Sequence, residues 1–115
     1  DQLYIDANIA RTANTTFTGI TTFNGGKRVN VKNKIADYTL ETTDYVINAT
    51  TGTWTATLPS AVGNQGQELI INNAGNGVIT VVPAESQNIS GVASISLSSN
   101  EAVKLISTGV NWIII

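Results

Sequence analysis

The sequence contains no cysteine, no histidine and no methionine. Without cysteine, the chain can form neither a disulfide framework nor a thiolate metal site. Without histidine, it lacks both the commonest zinc ligand and the usual general base of hydrolytic enzymes. Because methionine is absent even at position 1, we expect the chain to be a piece of a longer protein or a processed product.

Charged residues are also scarce. They make up 12% of the 115 residues and leave a net charge of −2, with a sequence pI near 4.8. This balance gives no overall attraction to nucleic acids or to anionic membranes, so we expect neither as a partner. No apolar stretch reaches the length of a membrane span, and we expect no membrane insertion. The polar surface must come from Thr, Asn, Ser and Gly, as is typical of extracellular β-structures.

The hydrophobic pattern has a two-residue period along most of the chain. Trp54, Ala56 and Leu58, for example, alternate with threonines, and clusters of Gly and Asn separate the candidate strands. One buried face per strand is typical of antiparallel sandwiches. The sequence therefore predicts an all-β fold, with a small antiparallel β-sandwich or barrel-like head over residues 35–115. The closing segment Asn111–Ile115 is apolar on both faces, which predicts a central strand covered by a neighbouring sheet or by another subunit.

Residues 1–34 have a different character, because the phrase Thr-Thr-Phe occurs at 15–17 and again at 21–23. Two such short units hold too few apolar side chains to close a core. One interpretation is a hairpin over Thr15–Val31 that turns at Asn24-Gly25 and packs on its own head. The other is an extended β segment that intertwines with two symmetry mates, and we adopt it because a lone hairpin is marginally stable in water. The residues predicted to pack on the trimer axis are Leu3, Ile5, Ile9, Phe17, Ile20 and Phe23.

Residues from about 36 onwards resemble the C-terminal head domain found on many bacteriophage tail fibres and tailspikes. The matching features are Tyr38-Thr39-Leu40, Asp44 before an apolar strand, Thr57-Leu58-Pro59, the Asn64/Gly66 turn, Ile79-Thr80-Val81 leading to Pro83, Ile89 with Gly91, and Gly109-x-Asn111-Trp112-Ile113-Ile114. The preceding stretch Thr15–Gly26 is similar to the intertwined shaft segments that often precede such heads. The order and spacing of these motifs over about 80 residues carry the resemblance, since each motif alone is weak.

The resemblance implies a parallel homotrimer with an all-β head at the distal tip of a fibre, hence a location on the virion tail, outside the cell. The expected function is chain trimerisation together with attachment to a bacterial surface glycan or envelope protein. Two alternatives stay open at this point. The chain could be a pure trimerisation and capping domain without a ligand, or a fragment of a glycan-cleaving tailspike.

Candidate ligand-binding residues come from charge and aromatic content. Arg28, Lys32 and Lys34 share parity on a strand, and threefold symmetry would triple this basic patch, so anionic surface glycans are conceivable ligands. The alternative is a solvated edge that lysines guard against strand addition. Tyr45 adds an aromatic ring with a polar hydroxyl, suited to a surface or a subunit interface. No spacing pairs the carboxylates for catalysis and no metal-binding loop is present, so we expect no enzyme, metal or cofactor.

Overall fold

The structure is a computed structural model that describes residues 18–115, and within this range the regular elements are all strands. The strands of the described range are β1 (Val31–Lys34), β2 (Tyr38–Thr39), β3 (Val46–Ala49), β4 (Trp54–Thr57), β5 (Glu68–Asn73), β6 (Ile79–Val82), β7 (Ile95–Leu97), β8 (Ala102–Ser107) and β9 (Trp112–Ile114). They form a five-stranded sheet in the order β1-β3-β5-β8-β9 and a four-stranded sheet in the order β2-β4-β6-β7.

The chain alternates between the two sheets from β1 to β6. Strands β1, β3 and β5 are therefore parallel neighbours in the five-stranded sheet, and β2, β4 and β6 are parallel neighbours in the other. The last three strands then add antiparallel pairs, with β7 beside β6, β8 beside β5 and β9 beside β8. The chain thus winds between two stacked sheets, and its last three strands complete them.

The core lies between the two sheets and is built by strict alternation of buried and less buried residues. The inward residues of β3, β4, β5 and β6 are almost completely shielded from solvent. Both tryptophans are buried, as their sequence positions predict, and each indole N–H is satisfied: Trp54 donates to the carbonyl of Thr51 and Trp112 to that of Pro59. Burial of two large aromatic rings whose N–H groups are hydrogen-bonded contributes strongly to the stability of a head of this size.

The all-β class and the sandwich architecture are confirmed, but the sheets are mixed rather than purely antiparallel. Four of the strand pairs in the described range are parallel and three are antiparallel. Alternation of apolar and polar residues reports which face is buried, and it has the same period in both kinds of pairing. Parallel neighbours arise here because the strand between them in the chain lies in the opposite sheet.

The prediction that Asn111–Ile115 forms a central strand is wrong, because β9 is an edge strand of the five-stranded sheet. Trp112 is fully buried, whereas Ile113, Ile114 and Ile115 are exposed. The apolar run therefore reflects one core residue followed by an aliphatic edge. The second part of the prediction, that another subunit covers this strand, stays a prediction.

The segment before β1 makes no strand between residues 18 and 30, so the described part of the predicted Thr15–Val31 hairpin is not formed. Two predicted axis residues lie in this segment, and both are exposed: Ile20 to 97% and Phe23 to 64%. The other four, Leu3, Ile5, Ile9 and Phe17, lie outside the described residues. The predicted division into residues 1–34 and 35–115 falls at the end of β1, and it stays a prediction.

Candidate functional site

A shallow, open groove of about 600 Å³ lies where the segment before β1 passes the start of β3 and β5. Three short stretches of chain line it: Lys27–Asn30, Thr42–Tyr45 and Gly66–Glu68. Its walls carry cationic, hydroxyl, amide and carboxylate groups close together. A wide polar depression of this kind suits an extended, hydroxyl-rich ligand better than a compact apolar one.

Tyr45 and Glu68 form a fixed polar wall of the groove. The Tyr45 hydroxyl donates a hydrogen bond to Glu68 Oε1 at 3.0 Å, and Lys104 Nζ lies 3.5 Å from the same oxygen. The hydrogen bond to Glu68 raises the pKa of the Tyr45 phenol above its ordinary value. The hydroxyl therefore stays protonated at neutral pH, and its oxygen can still accept a hydrogen bond from a ligand.

Asp44 lies under one side of the groove with its side chain completely buried. Its Oδ2 accepts hydrogen bonds from the Tyr38 hydroxyl at 2.7 Å and from the Glu41 amide at 2.9 Å. Its Oδ1 faces Lys32 Nζ at 2.7 Å and has no further partner among the described residues. One carboxylate thus ties together β1, β2 and the turn that leads into β3.

Protonation equilibria in this cluster follow from those contacts. Burial alone would raise the pKa of the Asp44 carboxyl, but the bonds from Glu41, Lys32 and Tyr38 outweigh it and hold the pKa below its usual value. The hydrogen bonds to Asp44 and then to Tyr38 raise the pKa of Lys32. Burial, followed by the hydrogen bond to Asp44, raises the pKa of the Tyr38 phenol. At neutral pH the cluster is an ion pair capped by a neutral phenol, which is a structural clamp rather than a proton-transfer site.

The four predicted ligand-binding residues separate into two pairs. Arg28 and Tyr45 both line the groove. Lys32 and Lys34 instead face Tyr38, with Lys34 Nζ 4.0 Å from the centre of its ring and Lys32 Nζ 3.3 Å from its hydroxyl. The two lysines occupy the inward parity of an edge strand, so they close the end of the sandwich over a tyrosine.

Sequence reasoning missed the parts played by Asp44, Tyr38 and Glu68. Asp44 stood out only as a motif position, and nothing in its spacing from Lys32 indicates a contact, because the pairing depends on β1 lying beside β3 in parallel register. Glu68 opens an alternating strand and gives no signal of its own. The available hint was the acidic residue directly before an apolar strand, since an isolated carboxylate there needs donors.

Within residues 18–115, no three acidic side chains gather as a metal site would require. The described part of the chain also has no helix that is long and apolar enough to cross a membrane. No protein-family model matches the chain, and a search of curated proteins finds no match either. The resemblance to fibre-tip heads therefore rests on the motifs of this sequence alone.

Proposed function

We propose that the chain is the trimeric tip of a phage tail fibre or tail-like particle, where it registers three chains and attaches to a glycan on the bacterial surface. The observation that carries the proposal is the exposure of Ile20 and Phe23, at 97% and 64%, in the single chain. Large apolar residues left uncovered close together on a protein surface mark a site of contact with another molecule. Their own head does not shelter them, and copies of the same segment around a threefold axis would.

The groove supports the attachment part of the proposal. Arg28 brings a cation that no described acidic group pairs within 4.0 Å, and the Tyr45 hydroxyl is held in place by Glu68. Three such grooves in one trimer would bind a repetitive surface polymer through avidity, which requires neither a deep pocket nor a tight single site.

The same geometry favours binding over cleavage. The two carboxylates along the groove are Asp44 and Glu68, and both are engaged. Asp44 is buried in its ion pair, and Glu68 holds Tyr45 and Lys104. Glycoside hydrolysis needs one carboxyl free to donate a proton and a second free to attack or activate water. We therefore propose a binding module and no catalytic residue.

Trimerisation through the N-terminal segment is tested by replacing Ile20 and Phe23 together with serine. The double variant should dissociate to monomers at a chain concentration at which the natural chain is trimeric. Val62→Ser is the matched control, because Val62 is also exposed, at 62%, but belongs to the head. A double variant as trimeric as the control would contradict the proposed shaft contact.

Glycan attachment is tested by binding of the intact chain to an array of bacterial surface polysaccharides. Arg28→Ala and Tyr45→Phe should each weaken binding to the retained glycan, by about tenfold for the arginine, which matches the loss of one charge-assisted hydrogen bond of about 1.5 kcal/mol. Lys34→Ala removes the same charge beside Tyr38 and should leave binding unchanged. A trimer that binds no glycan would favour the pure capping domain.

A further inference from the structure

We infer that the outer face of the five-stranded sheet is the surface on which each chain packs against two identical copies. The inference rests on the proposed homotrimer and adds the surface that builds it. The face consists of the outward residues of the five strands, and its large aliphatic members are Val31, Val46, Ile70, Ile106 and Ile113.

Aliphatic side chains lie side by side on this face because the strands are in register. Val31, Val46 and Ile70 are direct neighbours across three parallel strands, and Ile106 is paired with Ile113 at the other edge. Val46, Ile70 and Ile106 are half-buried, and Val31 at the edge is 56% exposed. The two aliphatic rows meet only at the diagonal neighbours Ile70 and Ile106, beside the Glu68–Lys104 ion pair.

The four-stranded sheet provides an internal comparison. Its outward positions are mainly hydroxyl residues, with Thr55, Thr80 and Ser96 in one row and Thr39 beside Thr57 in the next. Both sheets pack on the same core with the same alternation, so internal packing does not explain the difference. The hydroxyl face suits water, whereas the aliphatic face suits cover by protein.

Asparagine side chains on neighbouring strands of the outer face are hydrogen-bonded to one another. Asn48 Nδ2 donates to Asn33 Oδ1 at 3.1 Å, and Asn72 Nδ2 donates to Asn48 Oδ1 at 2.9 Å, which forms an amide ladder across three strands. Lys104 Nζ and Glu68 Oε1 lie 3.5 Å apart, so the face carries no net charge. A copy of this face therefore brings no net charge of like sign to oppose the contact.

The position of the face also matches the proposed axis. Val31 begins β1 and directly follows residues 18–30, so the chain leads from Ile20 and Phe23 onto this face. Each edge strand carries an exposed aliphatic residue on this face, Val31 in β1 and Ile113 in β9. A contact between the β1 side of one copy and the β9 side of the next is heterologous, and a threefold rotation closes it as a ring.

Ile70 is the residue to change, because β5 is the middle strand of the sheet and therefore lies nearest the axis. Ile70→Lys should lower the solution mass about threefold, from that of a trimer to that of a monomer. Its fluorescence should keep the signature of the buried tryptophans. Thr80→Lys is the matched control, since Thr80 lies at the centre of the hydroxyl face, and it should remain a trimer.

A cysteine variant tests whether Ile70 lies close to its copies, even if Ile70→Lys fails to fold. The natural chain has no cysteine, so Ile70→Cys under mild oxidation should give a disulfide-linked dimer on a non-reducing gel, and Thr80→Cys should not. A trimeric Ile70→Lys together with an Ile70→Cys that does not cross-link would overturn the inference and leave the proposed trimer standing. A natural chain that is monomeric would overturn both, and the face would then belong to a different partner.

Discussion

Replacing Asp44 with alanine tests how much of the fold depends on one buried carboxylate. The change removes the acceptor of the Tyr38 hydroxyl, the Glu41 amide and the Lys32 ammonium. Hydrogen bonds to a charged group contribute about 1.5–3 kcal/mol each. The Lys32 side chain is 36% exposed and can return to water. We therefore count only the hydrogen bonds from Tyr38 and Glu41, at the lower end of this range. The free energy of unfolding should fall by about 3 kcal/mol.

The assay is urea unfolding followed by fluorescence of Trp54 and Trp112, both of which are buried in the core. All variants must be compared at one chain concentration, because the apparent stability of an oligomer depends on it. Glu85→Ala is the control, since Glu85 is exposed and should change the unfolding free energy by less than about 0.5 kcal/mol. An Asp44→Ala variant as stable as this control would refute the proposed clamp.

Asp44→Asn separates the charge from the shape of the side chain. Because the pKa of Asp44 is lowered in the fold, its charge stabilises the protein at pH values above the unfolded pKa of about 3.9 and loses this effect as the pH falls through the folded value. The stability difference between the natural chain and Asp44→Asn should therefore be largest near pH 7 and shrink below about pH 4. A difference that stays constant from pH 7 to pH 3 would show that the charge contributes nothing.

Three further changes follow from the same structure. Gly77→Ala should destabilise the head by about several kcal/mol, because a Cβ there would collide with the backbone of Gly52. Gly25→Ala has open space around it and should be neutral in the same urea titration. Asn48→Ala breaks both bonds of the amide ladder and should lower the unfolding free energy by about 1–2 kcal/mol, while the same change at the exposed Asn76, as a control, should have little effect. Because the pKa of Tyr38 is raised in the fold, the neutral phenol stabilises the protein fully below the unfolded pKa of about 10. This stabilisation should be lost as the pH rises through the folded pKa, and the Tyr38→Phe variant should not show that loss.

Much of the fold follows from local sequence patterns. Alternation identifies Trp54, Ala56 and Leu58 as one buried face, and the structure buries all three. The pattern could not give the direction of the strand pairs, because parallel and antiparallel strands share the two-residue period. It also placed Asn111–Ile115 at the centre of a sheet, since a run of apolar residues does not distinguish a core strand from an edge that another molecule covers.

The candidate site was only partly predictable, and the reason is its non-local origin. Arg28 and Tyr45 are separated in sequence, and they line one groove because the segment before β1 passes the start of β3. The basic stripe was predicted from parity alone. Parity could not reveal that Lys32 would be held by a buried Asp44, because that contact depends on the register between β1 and β3.

The most direct test of the central claim is the mass of the 115-residue chain by sedimentation equilibrium across a tenfold dilution. Ile20 and Phe23 are exposed in the single chain, and we expect them to be covered only by their own copies. A trimer has a mass of about 36 kDa, three times the chain mass of 12.1 kDa, and this is the mass that we expect. A mass of 12.1 kDa at every concentration would contradict it.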